Sequence, residues 1–144
     1  MIDKIVLIDD DEITLMICEL VIKAEKFASE VLMFKNGREG IDYFEKLEIE
    51  LKEGHPDKVP ELVLLDLNMP VMNGWEFLEH FSNRCAASFP EVKICILSSS
   101  VDPLDITTST IYHNVIGFIN KPLTIERVNE LKDNAELAQY FDFS

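Results

Sequence analysis

Leu62-Val63-Leu64-Leu65 is a run of four apolar residues that stops at an acid, Asp66, with Met69-Pro70 close behind. A run of that length with no polar alternation reads as a strand buried on both faces, which requires covering layers above and below it. Open parallel α/β sheets meet that requirement, and they gather their ligand chemistry outside the carboxyl ends of their strands. Asp66 stands at such an end. The first expectation is a reactive carboxylate at the carboxyl end of an interior strand of a parallel sheet.

The rest of the chain supplies the alternation such a sheet needs. Residues 4–8 (Lys-Ile-Val-Leu-Ile) form a first short strand that runs into Asp9-Asp10-Asp11-Glu12. Ile13, Met16, Ile17, Leu20 and Val21 then recur at helical spacing. Acids favour a helix N-terminus through the macrodipole, so Asp11 and Glu12 read as helix-start residues. Residues 29–34 give a second, more exposed strand, broken by Asn36-Gly37. Gly40, Ile41, Tyr43, Phe44 and Leu47 begin a second helix, which extends through 48–52 until Gly54 and Pro56 stop it. The polar connection 53–60 is long for its class.

After Asp66, Asn73-Gly74 marks a turn, and Trp75, Phe77, Leu78 and Phe81 give a third amphipathic helix. Residues 92–97 form a fourth strand ending in Ser98-Ser99-Ser100, and Asp102-Pro103 start a fourth helix over about 103–112. Its stretch 106–111 is almost all β-branched or hydroxylic, with low helix propensity. Residues 115–119 are the fifth strand, closed by Asn120-Lys121-Pro122. Thr124 caps a last helix with Ile125, Val128, Leu131, Ala135 and Leu137 on its apolar side. The Tyr140, Phe141 and Phe143 cluster at the end reads either as a docked extension of that helix or as a partner surface. Five strands alternating with five helices predict an α/β fold with right-handed crossovers: a doubly wound five-stranded parallel sheet of order 2-1-3-4-5, a flavodoxin-like three-layer sandwich. The expected organisation is one domain over 1–144.

Composition narrows the function. A formal net charge of −14 argues against nucleic acid, whose binding is driven by cation–phosphate contacts. No Lys/Arg-rich run is present to hold an anionic membrane, and no apolar stretch approaches the roughly 20 residues that span a bilayer. Asp3 and the acids at 9–12 do not suit a secretory signal. Cys18, Cys85 and Cys95 are odd in number and widely spaced, so the expectation is reduced, buried thiols in a cytoplasmic protein.

Order 2-1-3-4-5 makes the first and third strands neighbours, which brings Asp9, Asp10 and Asp66 into one crevice with Ser98 and Lys121 on its rim. Three carboxylates repel one another unless a cation joins them, and a hard divalent ion such as Mg2+ suits oxygen ligands. Lys121 offers a point charge for a phosphate oxygen and Ser98 a hydroxyl donor. Such a set can stabilise phosphoryl transfer to Asp66.

The motifs Ile8-Asp9-Asp10, Leu65-Asp66-Leu67-Asn68-Met69-Pro70 with Gly74, Leu97-Ser98-Ser99 and Lys121-Pro122 stand in the order and spacing of a known family. The chain resembles the receiver domains of two-component response regulators. The resemblance implies that Asp66 accepts a phosphoryl group from a sensor histidine kinase or phosphotransfer protein in a magnesium-dependent reaction, in which Mn2+ or Ca2+ can substitute. It implies that Asp10 and Asp66 bind the ion directly, Asp9 directly or through water, and Asn68 through its backbone carbonyl. Lys121 then pairs with phosphoryl oxygens, ahead of a cis bond to Pro122. Ser98 moves toward the phosphoryl group on activation, and Phe118 holds the switch-aromatic position. Lacking a hydroxyl, Phe118 can be held inward by packing only. Asn68 and Ser100 fall at positions that tune dephosphorylation.

By the same resemblance the chain is a switch and not a turnover enzyme, its only chemistry being self-catalysed phosphotransfer and autodephosphorylation. No sequence follows the last helix for an output domain, so the expectation is a stand-alone regulator, monomeric or weakly dimeric. It would signal by phosphorylation-dependent binding of a downstream protein at the fourth helix, fifth strand and fifth helix. Two other readings compete. A phosphatase of the haloacid-dehalogenase type would need an acid where Asn68 stands, and a pseudo-receiver would have lost residues that this chain retains.

Overall fold

The computed structural model describes residues 1–54 and 58–141. Pro56 and Phe143, named above, and residues 55–57 of the 53–60 connection lie outside the described residues. The strands are β1 (Ile2–Ile8), β2 (Ala28–Phe34), β3 (Leu62–Leu65), β4 (Lys93–Ser98) and β5 (Val115–Asn120). The helices are α1 (Glu12–Ala24), α2 (Gly37–Lys52), α3 (Gly74–His80), α4 (Pro103–Ser109) and α5 (Ile125–Lys132). All strands are parallel in the order β2-β1-β3-β4-β5, as expected for the doubly wound flavodoxin-like fold.

Successive strand residues point to opposite faces and so feed two cores. Ile5, Leu7, Leu62 and Leu64 pack with Cys18, Ile22, Val128 and Leu131 under α1 and α5. Val6, Ile8, Val63 and Leu65 pack with Ile41, Phe44, Phe77 and Phe81 under α2 and α3. Phe44 lies 5.1 Å from Phe81, 5.5 Å from Phe89 and 6.4 Å from Phe77, so the second core is aromatic at its centre. Each such ring contributes about 1.5–3 kcal/mol by leaving water.

Four elements differ from the sequence expectation. In α1 the inward residues are Leu15, Cys18 and Ile22, whereas Ile13, Met16, Ile17 and Leu20 are between 38% and 67% exposed. That helix carries two apolar stripes at helical spacing. Leu15, Cys18 and Ile22 pack into the sheet core, and the helix is capped at its start by Asp11, whose carboxylate accepts the Ile13 N–H at 3.0 Å and the Thr14 hydroxyl at 2.9 Å. α3 passes at His80 into a π-helical turn, Phe81–Cys85, that periodicity did not reveal. α4 ends at Ser109, three residues early, because Thr110, Ile111 and Tyr112 bond to carbonyls three residues back. The hydroxyls of Thr107, Ser109 and Thr110 also compete for carbonyls within the helix. α5 ends at Lys132, so Ala135 is exposed, and Leu137 reaches the core from beyond the helix.

Tyr140 and Phe141 are docked. Phe141 stacks on Phe27 at 5.3 Å, and Lys132 Nζ lies over the Phe141 ring, 5.8 Å from its centroid. Tyr140 and Phe141 pack on the α1/α5 core, which decides the alternative left open for these two residues.

Candidate functional site

The strand register brings the acids together. Ile8 pairs with Leu65 across β1 and β3, so Asp9 and Asp66 leave the sheet side by side. The Asp66 N–H donates to the Ile8 carbonyl at 2.9 Å, and the Asp9 N–H to the Phe34 carbonyl at 3.0 Å. Both side chains are 4% exposed, while Asp10 faces solvent. One carboxylate oxygen from each of Asp9, Asp10 and Asp66 lies within 4.8 Å of the others. An all-oxygen donor set of this charge fits a hard divalent cation.

Lys121 enters from the end of β5. Its Nζ is 2.7 Å from Asp9 Oδ2 and 3.4 Å from Asp66 Oδ1. The Lys121–Pro122 bond is cis, as the motif implied, and the Lys121 N–H donates to the Ser98 carbonyl at 2.9 Å. Burial, then the charge of Asp9, raises the Asp66 pKa to about 6 against the pull of Lys121. Burial also raises Asp9, outweighing its hydrogen bond to Lys121. Burial alone would lower Lys121, but its bonds and charges with Asp9 and Asp66 hold it above the ordinary lysine value. The crevice thus carries more negative charge than one ammonium can neutralise.

The loop after Asp66 is held by backbone packing. The Gly74 N–H donates to the Leu67 carbonyl at 2.9 Å. A Cβ on Gly74 would clash with the Asp66 carbonyl and come within 2.8 Å of Leu67 Cα. At the loop's tip the Met72 N–H donates to the Pro70 carbonyl across Val71, whose φ of 70° is the strained, left-handed form of a three-residue turn. The same Met72 offers its carbonyl to the Gly37 N–H at 2.9 Å, tying α2 to the site. Asn73 and Glu76 then form a capping box at the start of α3. Asn68 is exposed on this loop, and its N–H donates to the Asp66 carboxylate.

Ser98 is fully buried at the end of β4, and Phe118 is half-buried in β5 beside a groove under α4. Asp11 and Glu12 play the helix-start part expected of them, Asp11 as the cap and Glu12 paired with Lys35 at 2.8 Å. The three cysteines are free and buried, with thiols pushed up by burial to about 12, 11 and 12 for Cys18, Cys85 and Cys95, which leaves them unreactive. Among the described residues, no helix is long and apolar enough to cross a membrane. Two groups went unread in the sequence. The capping box was legible as Asn73 followed three residues later by Glu76. The side chains of Asn120 and Asp105, which bind the loop after Ser98, carried no local signal.

The model for the response regulator receiver domain matches residues 5–132. The chain belongs to the receiver domain family. This receiver is 27% identical over 135 residues to the probable methanogenesis regulatory protein FilR2 of Methanothrix harundinacea, covering 90% of this chain and 81% of that protein. Among solved structures, a two-component response regulator from Cytophaga hutchinsonii is 30% identical, with a TM-score of 0.80 and coverage of 92% of this chain and 95% of that one. The phosphorylated cyanobacterial phytochrome response regulator RcpA shares the fold at 23% identity and a TM-score of 0.73, over 97% of this chain and 96% of its own. Family membership implies phosphoryl acceptance and sets aside the phosphatase reading.

Proposed function

We propose that this receiver accepts a phosphoryl group on Asp66 from the phosphohistidine of a sensor histidine kinase or phosphotransfer protein, and signals by binding a further protein in the phosphorylated state. The observation that carries this reading is a buried carboxylate at the end of β3 with Lys121 Nζ 3.4 Å away and two further acids beside it. An Asp66 oxygen attacks phosphorus, the P–N bond to the donor imidazole breaks, and imidazole leaves with the electron pair. Mg2+, with Mn2+ or Ca2+ able to replace it, supplies the positive charge that keeps Asp66 ionised and neutralises phosphoryl oxygens. The carboxylates of Asp9, Asp10 and Asp66 and the carbonyl of Asn68 would hold it. Lys121 turns from Asp9 and Asp66 to an incoming phosphoryl oxygen. Ser98 donates its hydroxyl to another such oxygen, and Phe118 reports the change at the α4–β5–α5 face.

The exposed stripe Ile13, Met16, Ile17 and Leu20 runs along α1 from just beyond Asp10, and it suits the docking of a phosphodonor protein over the site. We assign the protein to the cytoplasm, in keeping with its three free thiols. The test is labelling by a small-molecule phosphodonor. One phosphoryl group per chain is expected, dependent on Mg2+ and abolished by chelation or by Asp66→Asn. Equal labelling of the Asp66→Asn protein would overturn the assignment.

A further inference from the structure

Of the seven residues of α4 only Ser109 is buried, and Asp105 alone among the rest is half-buried. Beneath the helix lies a groove of about 420 Å3 lined by residues that include Ile106, Tyr112, Val115 and Phe118, so apolar packing does little to hold its first turn. Polar bonds hold it instead: Asp102 caps the helix, accepting the Leu104 N–H at 2.9 Å, and the bonds that tie this turn to the strand ends meet at Ser100. The Ser100 hydroxyl donates to Asp105 Oδ2 and accepts the Asp102 N–H at 3.2 Å. The Ser100 carbonyl accepts from Asn120 Nδ2 at 2.7 Å, and the Ser100 N–H donates to Ser98 Oγ at 3.1 Å. One residue therefore grips the Ser98 hydroxyl with its N–H, the end of β5 with its carbonyl, and α4 with its side chain.

We infer that Ser100, clamped by Asp105 and Asn120, is a positioning residue that couples the place of Ser98 Oγ to the first turn of α4. The clamp itself stands on these hydrogen bonds, and only its signalling consequence rests on Asp66 being the phosphoacceptor. Because Ser98 Oγ accepts the Ser100 N–H, its own O–H is left to donate to an oxygen arriving at Asp66. A shift of Ser98 toward that oxygen withdraws the acceptor from Ser100. Ser100 then either loses the bond or follows, and following pulls against Asp105 on α4 and Asn120 on β5. Occupancy at Asp66 is thereby traded against attachment of α4, an equilibrium that a phosphoryl group biases through differential contacts.

Amide hydrogen exchange of the full chain without phosphodonor tests the clamp. Ser100→Ala and Asp105→Ala are expected to speed exchange of the first α4 turn about tenfold, the scale of a lost hydrogen bond to a charged acceptor. Ser100→Thr and Asp105→Asn, which keep the hydroxyl and an accepting oxygen, should stay within about threefold of the unmodified protein. Ser98→Ala should also speed these amides, with no further gain when it is added to Ser100→Ala. Unchanged exchange in either alanine variant, or full additivity of the Ser98 and Ser100 changes, overturns the inference. With phosphodonor and Mg2+ the unmodified protein should show faster α4 exchange, and Asp105→Ala, already fast, should change by less than about twofold. A full response in Asp105→Ala also overturns the coupling. Failure of the unmodified protein to take label defeats the phosphoacceptor reading instead, and the resting-state exchange still decides the clamp.

Discussion

α3 and α4 are both seven-residue helices that leave the carboxyl ends of neighbouring central strands, yet they are attached in opposite ways. α3 opens with a capping box, buries Gly74, Phe77 and Leu78, and continues into a π-helical turn that buries Phe81 and Cys85. α4 buries Ser109 alone and is tied at its start through Ser100. The β3–α3 side thus packs as a frame around Asp66, whereas the β4–α4 side has little apolar packing and is tied to the strand ends through Ser100. The proposed switch draws on both: a packed site for Asp66, next to a helix whose attachment depends on a few polar bonds.

The largest expected effect lies on the β3–α3 side. Phe77→Ala removes a ring from the aromatic core between Phe44 and Phe81 and should destabilise the fold by about 3–5 kcal/mol in denaturant titration. A loss under 1 kcal/mol would mean that this half is not the frame described. Gly74→Ala forces a methyl group against the Asp66–Leu67 backbone and should cost about 1–3 kcal/mol while also slowing phosphoryl labelling, because the displaced atoms belong to the proposed acceptor. Stability lost with labelling intact would separate α3 packing from the site.

A pH series sharpens the frame's electrostatics. In the metal-free protein the folded Asp66 pKa is about 6 against an ordinary 3.8. Between those values the folded chain holds a proton that the unfolded chain has released. Stability from this group is therefore complete below the lower value, falls as pH rises through the window, and levels off above it. Asp66→Asn removes that slope, so the difference in melting temperature between variant and parent should grow from pH 4 to pH 6 and then stay flat. Added Mg2+ should shrink it. A difference independent of pH contradicts the burial of a titrating carboxyl at this position. The smallest effect belongs to α4: Thr108→Ala, exposed in mid-helix, should change stability by no more than about 0.5 kcal/mol, in the stabilising direction, through helix propensity alone.

The same contrast explains what could be read in the sequence. The run ending at Asp66, the acids after β1 and the Lys121-Pro122 pair are local patterns, and the parallel topology follows from their alternation with helices; the structure brings Asp9, Asp10, Asp66 and Lys121 together as that topology requires. The rotation of α1 was not legible, since Ile13, Met16, Ile17 and Leu20 repeat as regularly as Leu15, Cys18 and Ile22, and the choice between the stripes is made by packing on the sheet. The early end of α4 was hinted at by its hydroxylic residues, but its position depends on which carbonyls they take. The Ser100 clamp was invisible because it joins Ser98, Asp105 and Asn120, which are separated in the chain and carry no shared motif.

Asp9, Asp10 and Asp11 stand close to Asp66, and the proposed function requires that Asp66 alone accept the phosphoryl group. Borohydride reduction of the labelled protein, which converts an acyl phosphate to a stable alcohol, followed by peptide mass mapping, locates the acceptor directly. The modified residue is expected to be Asp66, with residues 9–11 unmodified. A label found on Asp9, Asp10 or Asp11 in the unmodified protein would contradict it.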